Sequence, residues 1–145
     1  MENKSGNQLE KFLEDLFKKL PPLPANVVDT IFKITPILAL VFGILGVLLS
    51  IAGLGVLSAL APFAMMGGVS PYGLGIVATV GWLISSVMML VAFLGLKAGK
   101  KSGWDLLFWS EVVNAATAVI GISIGSVLGA AIAFYILFQI KPKYK

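Results

Sequence analysis

ILALVFGILGVLLSIAGLGVL, residues 37–57, decides the fold. The stretch contains no charged side chain and a single hydroxyl, that of Ser50. A helix needs roughly 20 apolar residues to cross a hydrocarbon core of about 30 Å, and this stretch reaches that length. Its surroundings are similar, because no Lys, Asp or Glu occurs between Ile34 and Leu96 or between Val112 and Ile140. The sequence therefore predicts an all-α integral membrane protein.

The composition of the whole chain supports this interpretation. Its 145 residues are 58% hydrophobic and only 12% charged, and the mean hydropathy is +0.96. A soluble domain carries about 25% charged residues. A chain this apolar cannot cover itself with polar side chains, so lipid is expected to be the solvent for most of it.

Turn residues and length divide the apolar sequence into spans. Thr35 and Pro36 predict an N-cap and a first-turn proline near the start of the first span. Prolines and glycines between Ser58 and Pro71 predict a turn after a first span that ends near Leu57. The stretch from Leu106 to Ile140 is about 52 Å long as one helix, which is too long for a single crossing. We divide it at Gly121 to Gly125. The predicted spans are about 34–57, 73–96, 105–121 and 124–140.

The distribution of lysines along the chain discriminates between three and four spans. They cluster before the first span, between the second and third, and after the fourth. Cytoplasmic loops carry an excess of positive charge, and four spans place all three clusters on one side. Residues 27–145 are therefore predicted to form four transmembrane helices as two hairpins in the cell (plasma or inner) membrane, with both termini cytoplasmic. Three spans remain an alternative if residues 104–114 lie along the interface, which Trp104, Phe108 and Trp109 are expected to mark.

The residues before the first span form three short segments. Residues 1–7 are polar and predicted to be disordered, 8–20 to form an amphipathic helix capped by Asn7, and 21–26 to form a proline-rich hinge. The apolar side chains of the helix fall on one face: Leu9, Phe12, Leu13, Leu16, Phe17 and Leu20. This face could lie on the membrane surface or dock on protein. Equal numbers of acids and lysines on the other face weaken the lipid interpretation.

Glu111 is the only ionisable residue inside a predicted span. Asn114 and Thr117 follow it and extend a polar stripe along the same helix. A carboxyl group in the membrane is costly to bury and is a candidate proton or cation site. It could equally reach the headgroups or hydrogen-bond to a neighbouring helix.

Small residues recur at a spacing of four on the last span, at Gly121, Gly125, Gly129 and Ala133. Such faces let membrane helices approach closely, either within one protomer or between copies. The same spacing recurs at Gly95, Gly99 and Gly103 and at Gly46 with Ser50.

The residue types limit the possible chemistry. The chain has no Cys and no His, so thiolate and imidazole metal sites and most nucleophile–base pairs cannot be built. We expect no enzyme, no cofactor and no nucleic-acid partner. The leading hypothesis is a protein that acts through helix–helix association in the bilayer, as a homo-oligomer or with other membrane subunits. The alternative is a small oligomeric transporter or channel that uses Glu111, Asn114 and Thr117.

Overall fold

The computed structural model describes residues 4–67, 73–120 and 124–145, and these residues form helices without strands. The helices are α1 (Lys4–Phe17), α2 (Ala25–Met66), α3 (Leu74–Lys97), α4 (Lys101–Ile120) and α5 (Ile124–Ile140), followed by a 3-10 turn at Lys141–Lys143. Three of them, α2, α3 and α5, are long and apolar enough to cross a membrane. The prediction of a helical, membrane-associated chain is confirmed at this level.

Helix α1 begins and ends earlier than predicted. It starts at Lys4, so Asn7 lies inside the helix and is not its N-cap. After Phe17 the chain leaves the helix through a turn in which the Leu20 amide donates to the Phe17 carbonyl. Pro21 and Pro22 follow directly, and a residue that precedes proline is disfavoured in the helical conformation. Residues 21–24 are extended, and α2 begins at Ala25.

Helix α2 extends beyond both of the boundaries that the sequence predicts for the first span. Residues 58–66, predicted as a turn, continue the helix to Met66, and Pro62 lies inside it. Pro36, expected in a first turn, also lies inside α2. The stretch around Pro62 is otherwise rich in Ala, Leu and Met, which favour helix. Membrane helices tolerate an internal proline because its missing hydrogen bond is compensated locally.

Helices α2, α3 and α4 pack side by side in alternating directions. Gly43 and Gly46 of α2 face Leu90 and Ser86 of α3, while Gly53 faces Thr79. The α3–α4 contact likewise runs from Gly95 against Gly103 to Gly81 against Thr117. The turn between α3 and α4 depends on Gly99, whose φ of 67° permits the amides of residues 99 and 100 to bond back to the last turn of α3.

Helix α5 packs against α4 through aromatic rings. The Trp104 and Phe138 centroids lie 5.8 Å apart, as do those of Phe108 and Phe134. The Trp104 indole N–H donates to the Leu137 carbonyl at 3.0 Å. Trp104 and Phe108 are 0% and 1% exposed, so they belong to the core and are not the interfacial markers that we predicted.

The hydrophobic core occupies one end of the bundle. We call residues 4–39, 89–110 and 133–145 the lysine-rich end, and residues 50–67, 73–82, 114–120 and 124–130 the charge-free end. Every member of the core cluster lies in the lysine-rich end. The predicted turns near residues 68–72 and 121–123, including Gly121, lie outside the described residues.

Candidate functional sites: a polar cleft, an open helix face and a docked helix

Glu111 lies on α4 between the two ends of the bundle. Its side chain is partly buried, and Asn114, one turn further along the same face, hydrogen-bonds to its carboxyl group. Residues three apart on a helix are neighbours, so α4 alone positions this pair. The structure thus places Glu111 beside Asn114 as the sequence predicts.

A cleft of about 550 Å³ opens beside this pair, between α3, α4 and α5. Its lining residues are Ala78, Thr79, Trp82, Glu111, Asn114, Thr117, Ala118, Ser126, Gly129 and Ala130. The polar side chains from α3, Thr79 and Trp82, were not predicted from the sequence. A tryptophan in the middle of an apolar span was the available signal. The cleft therefore collects polar groups from three helices at membrane depth.

Thr117 contributes to helix packing as well as to the cleft. Its hydroxyl donates to the Val113 carbonyl at 2.7 Å. A side-chain carbon added at Gly81 would lie 2.6 Å from the Thr117 oxygen, so the two helices touch here. The donor of Thr117 is thus used within α4, and Glu111 and Asn114 are the groups left to contact anything in the cleft.

Glu111 also borders a second opening. An apolar groove of about 470 Å³ lies between α2 and α5, lined by residues such as Phe42, Met89 and Ile136. Glu111 is the only charged residue on its wall and is shared with the polar cleft. The carboxyl group therefore stands between a polar and an apolar opening.

The small-residue face of α5 is open. A side-chain carbon added at Gly125 or Gly129 would meet nothing within 4 Å. The neighbouring ridge is exposed as well, with Ile124, Leu128 and Ile132 each at least 60% accessible. Within the described residues, the predicted packing face of α5 therefore has no close neighbour over Gly125 and Gly129.

A seam of serines holds α2, α3 and α4 together and was not singled out from the sequence. Ser85 donates to the Ser110 carbonyl of α4 at 3.0 Å. Ser86 packs against Gly46 of α2, where an added carbon would lie 2.0 Å from its hydroxyl oxygen. Hydroxyls and glycines are the usual means of close packing between membrane helices.

The amphipathic helix α1 docks on α5 of the same chain. The Phe17 ring stacks on Phe138 at 5.9 Å and lies 6.3 Å from Phe134. Leu13 packs against the same core. The hinge contributes too, since the Tyr135 hydroxyl donates to the Pro21 carbonyl at 2.6 Å.

Ion pairs reinforce this α1–α5 contact. The Lys141 ammonium lies 2.8 Å from Glu10 and also bonds to Glu14. Partial burial raises the pKa of Glu14, but hydrogen bonds from Lys141 and Lys18 outweigh that effect and leave the pKa below its usual value. Glu14 is therefore held as a carboxylate at neutral pH.

The residues after α5 tie this end of the molecule together. Lys143 pairs with Asp29 of α2 at 2.5 Å. The Lys145 amide donates to the Gly99 carbonyl, and the Lys101 amide donates to the main-chain oxygen of Lys145. Tyr144 is buried beside Phe32, and that burial raises the pKa of its hydroxyl to about 12, against a smaller opposing effect of Thr35.

These features define a helical protein with three apolar helices of membrane-spanning length, a polar cleft between α3, α4 and α5, and an N-terminal helix docked at one end. Comparison with protein-family models, with curated proteins and with solved structures finds no match. The geometry of the chain itself is therefore the basis for a functional proposal.

Proposed function

We propose that the protein acts through helix–helix association in the membrane and that its partner is a second copy of the same chain, bound on the open face of α5. The contrast among its glycines carries the proposal. An added carbon at Gly46, Gly81, Gly95 or Gly103 would collide with a neighbouring helix, whereas Gly125 and Gly129, like Gly55 of α2, have open space. Small residues four apart let membrane helices approach closely, so the open pair on α5, unlike the single Gly55, fits a neighbour from outside the protomer.

The polar cleft gives independent support. Glu111, Asn114 and Thr79 line an opening beside the same face of α5. Glu111 bonds to Asn114, and Thr79 donates to the Gly75 carbonyl, but an ionisable side chain that faces hydrocarbon remains costly. A second copy packed on α5 would cover the cleft and remove those groups from lipid, so one contact would satisfy both features.

The association is proposed for a chain with four spans arranged as two hairpins. Helix α4 is less apolar than the other three, yet it lies antiparallel to α3 from Gly95–Gly103 to Gly81–Thr117. This shared length is about 21 Å at 1.5 Å per residue. If α3 crosses the bilayer, α4 crosses beside it. The lysine-rich end then faces the cytoplasm of a cell or inner membrane, as the positive-inside rule favours.

The test replaces the open glycines with a bulky residue. In Gly125→Leu/Gly129→Leu, the enlarged side chains should block the second copy, and native mass spectrometry and cross-linking in nanodiscs should show monomers where the wild type shows oligomers. Ala131→Leu is the matched control, because Ala131 is exposed on another face of the same helix. A wild type that is strictly monomeric in both detergent and nanodiscs would refute the proposal.

A second candidate function is ion or proton conduction through the oligomer. The specific observation is that Glu111 and Asn114 face a cleft with Thr79 and Trp82, where a second copy would complete the wall. Wild-type protein in vesicles loaded with a pH-sensitive dye should then conduct protons, and Glu111→Gln should abolish the flux. Asp105→Asn is the control, since it removes an acid outside the cleft. Absent flux, or flux unchanged in Glu111→Gln, would eliminate this candidate.

A further inference from the structure

Helix α1 is divided lengthwise into a docked and an exposed apolar strip. Leu13 and Phe17 pack on the core, while Phe12, Leu16 and Leu20 are 65%, 49% and 46% exposed. Phe12 and Leu16 are four apart and lie on one line along the helix. Leu20 is exposed in the turn that follows Phe17, and we call these three residues the outer strip. The contact with α5 thus uses only part of the apolar side chains of this segment and leaves the outer strip exposed among the described residues.

The contacts of α1 and the hinge fix the level of the outer strip along α5. Phe17 reaches Phe134 and Phe138, and the hinge reaches Tyr135 and Gln139. These α5 residues precede Lys141 by up to about 10 Å at 1.5 Å per residue. In a membrane crossed by α5, Lys141 marks the headgroups. The outer strip then lies at the boundary between headgroups and acyl chains, the depth at which interfacial helices bury their apolar face.

The fold also changes the charge that α1 presents to its surroundings. By sequence its acids and lysines balance, but Glu10 and Glu14 are turned toward Lys141 and paired with it. Lys11 and Lys19 remain exposed, while Lys18 pairs with Glu14 and Asp15 is the exposed acid of this segment. The outward surface of the docked segment therefore carries a small excess of positive charge, and lysines near a membrane are attracted to anionic lipid.

We propose that the outer strip, Phe12, Leu16 and Leu20, inserts into the headgroup boundary of a leaflet that contains anionic phospholipid, and that the flanking lysines bind its phosphates. Helix α1 can then be docked on α5 and bound to lipid at the same time. Docking pairs Glu10 and Glu14 with Lys141, so these two acids no longer repel an anionic surface. Lipid fits better than a second copy, since the strip lies at the lipid level of α5 and is bordered by positive charge. The inference is independent of the contact proposed for Gly125 and Gly129.

The absence of native cysteine permits a direct test of depth. Full-length Phe12→Cys and Leu16→Cys proteins would each carry a nitroxide label in vesicles of phosphatidylcholine with a minor fraction of phosphatidylglycerol. We expect both labels to be accessible to oxygen and several-fold less accessible to a water-soluble nickel chelate than a label at Asp15→Cys. Asp15 is the matched control because it neighbours Leu16 in sequence and lies on the exposed polar face.

Varying the lipid composition of the vesicles tests whether the lysines of this segment bind anionic headgroups. Vesicles without phosphatidylglycerol should leave the label at residue 12 shallower, and Lys11→Gln/Lys19→Gln should remove that dependence on lipid. Equal nickel accessibility at residues 12, 15 and 16 would overturn the proposal. Spin–spin broadening at residue 12 that disappears on dilution with unlabelled protein would also overturn it, since a second copy would then cover the strip.

Discussion

The lysine-rich end and the charge-free end of this molecule are held together by different means. At the lysine-rich end, stacked aromatic rings join α4 to α5, Lys141 pairs with Glu10 and Glu14 of α1, Lys143 pairs with Asp29 of α2, and main-chain bonds join Lys145 to the α3–α4 turn. At the charge-free end, α2 is largely exposed beyond Ser50, and α5 begins with a run of exposed residues. The same four apolar helices are therefore closely packed at one end and open at the other.

The difference follows from what each end contacts. In the proposed topology the lysine-rich end would meet water and headgroups, where apolar burial is favourable and ion pairs can form. The helices of the charge-free end would be surrounded by lipid, which is as apolar as leucine, so burial there would give little free energy. Close contact then depends on small residues, and helices without such contacts stay open to lipid or to another chain.

The largest expected effect comes from the glycine contact at the lysine-rich end. In Gly103→Ala the new carbon would lie 2.3 Å from the Leu96 amide nitrogen and 2.4 Å from the Gly95 carbonyl carbon. Backbone atoms cannot move aside locally, so we expect a loss of at least about 2 kcal/mol in the free energy of unfolding. Circular dichroism during denaturation in detergent would measure it.

Gly55→Ala at the charge-free end is the control for this variant. Nothing lies within 4 Å of an added carbon there, and alanine favours helix by up to about 1 kcal/mol. We expect unchanged or slightly raised stability. If both variants were equally stable, the contrast in packing between the two ends would be wrong.

An intermediate effect is expected from Lys141→Gln, which leaves Glu10 without its ammonium partner and Glu14 with Lys18 alone. The two carboxylates are partly buried, so α1 docking should weaken by about 1–3 kcal/mol. Trypsin cleavage at the lysines of α1 should accelerate, on the order of tenfold, because cleavage follows the population of the open form. Lys100→Gln, an exposed lysine in the α3–α4 turn, should leave the rate unchanged, and equal rates in all three proteins would contradict the assigned ion pairs.

The smallest effect is a partial release of α1 by acid. The pKa of Glu14 is lower in the docked state than its usual 4.5, so its pairing contributes stability above about pH 4.5. That contribution is lost as the pH falls through the docked-state pKa. A nitroxide at Asp15→Cys should become more mobile below this range in wild type and not in Lys141→Gln. Identical profiles for the two would show that Glu14 does not control docking.

Sequence reasoning recovered the all-helical class of the chain and its association with a membrane. Both depend on apolar composition and on the length of apolar stretches, which are local properties. Two sequence-based helix boundaries were wrong, because Pro36 and Pro62 were predicted to lie at helix ends and both lie inside α2. In an apolar helix the remaining backbone bonds are strong enough to continue through a proline.

The contacts between distant segments could not be predicted. Three features depend on how the helices are arranged in space. They are the pairing of Lys141 with Glu10 and Glu14, the burial of Trp104, and the position of Thr79 on the wall of the Glu111 cleft. Spacing in a single sequence carries no information on these contacts. The two interpretations of α1 were treated as alternatives, but the structure docks one apolar strip on protein and leaves the other exposed.

The α1–α5 contact has a consequence for biosynthesis. The pair formed by Glu14 and Lys141 joins residues 127 positions apart. Because a ribosome makes the chain from its N-terminus, α1 is complete long before the helix that receives it has been translated. During that interval Leu13 and Phe17 lack the α5 surface on which they pack, so the apolar side chains of the nascent helix are open to other contacts. Final docking of α1 therefore reports that the later helices have been inserted.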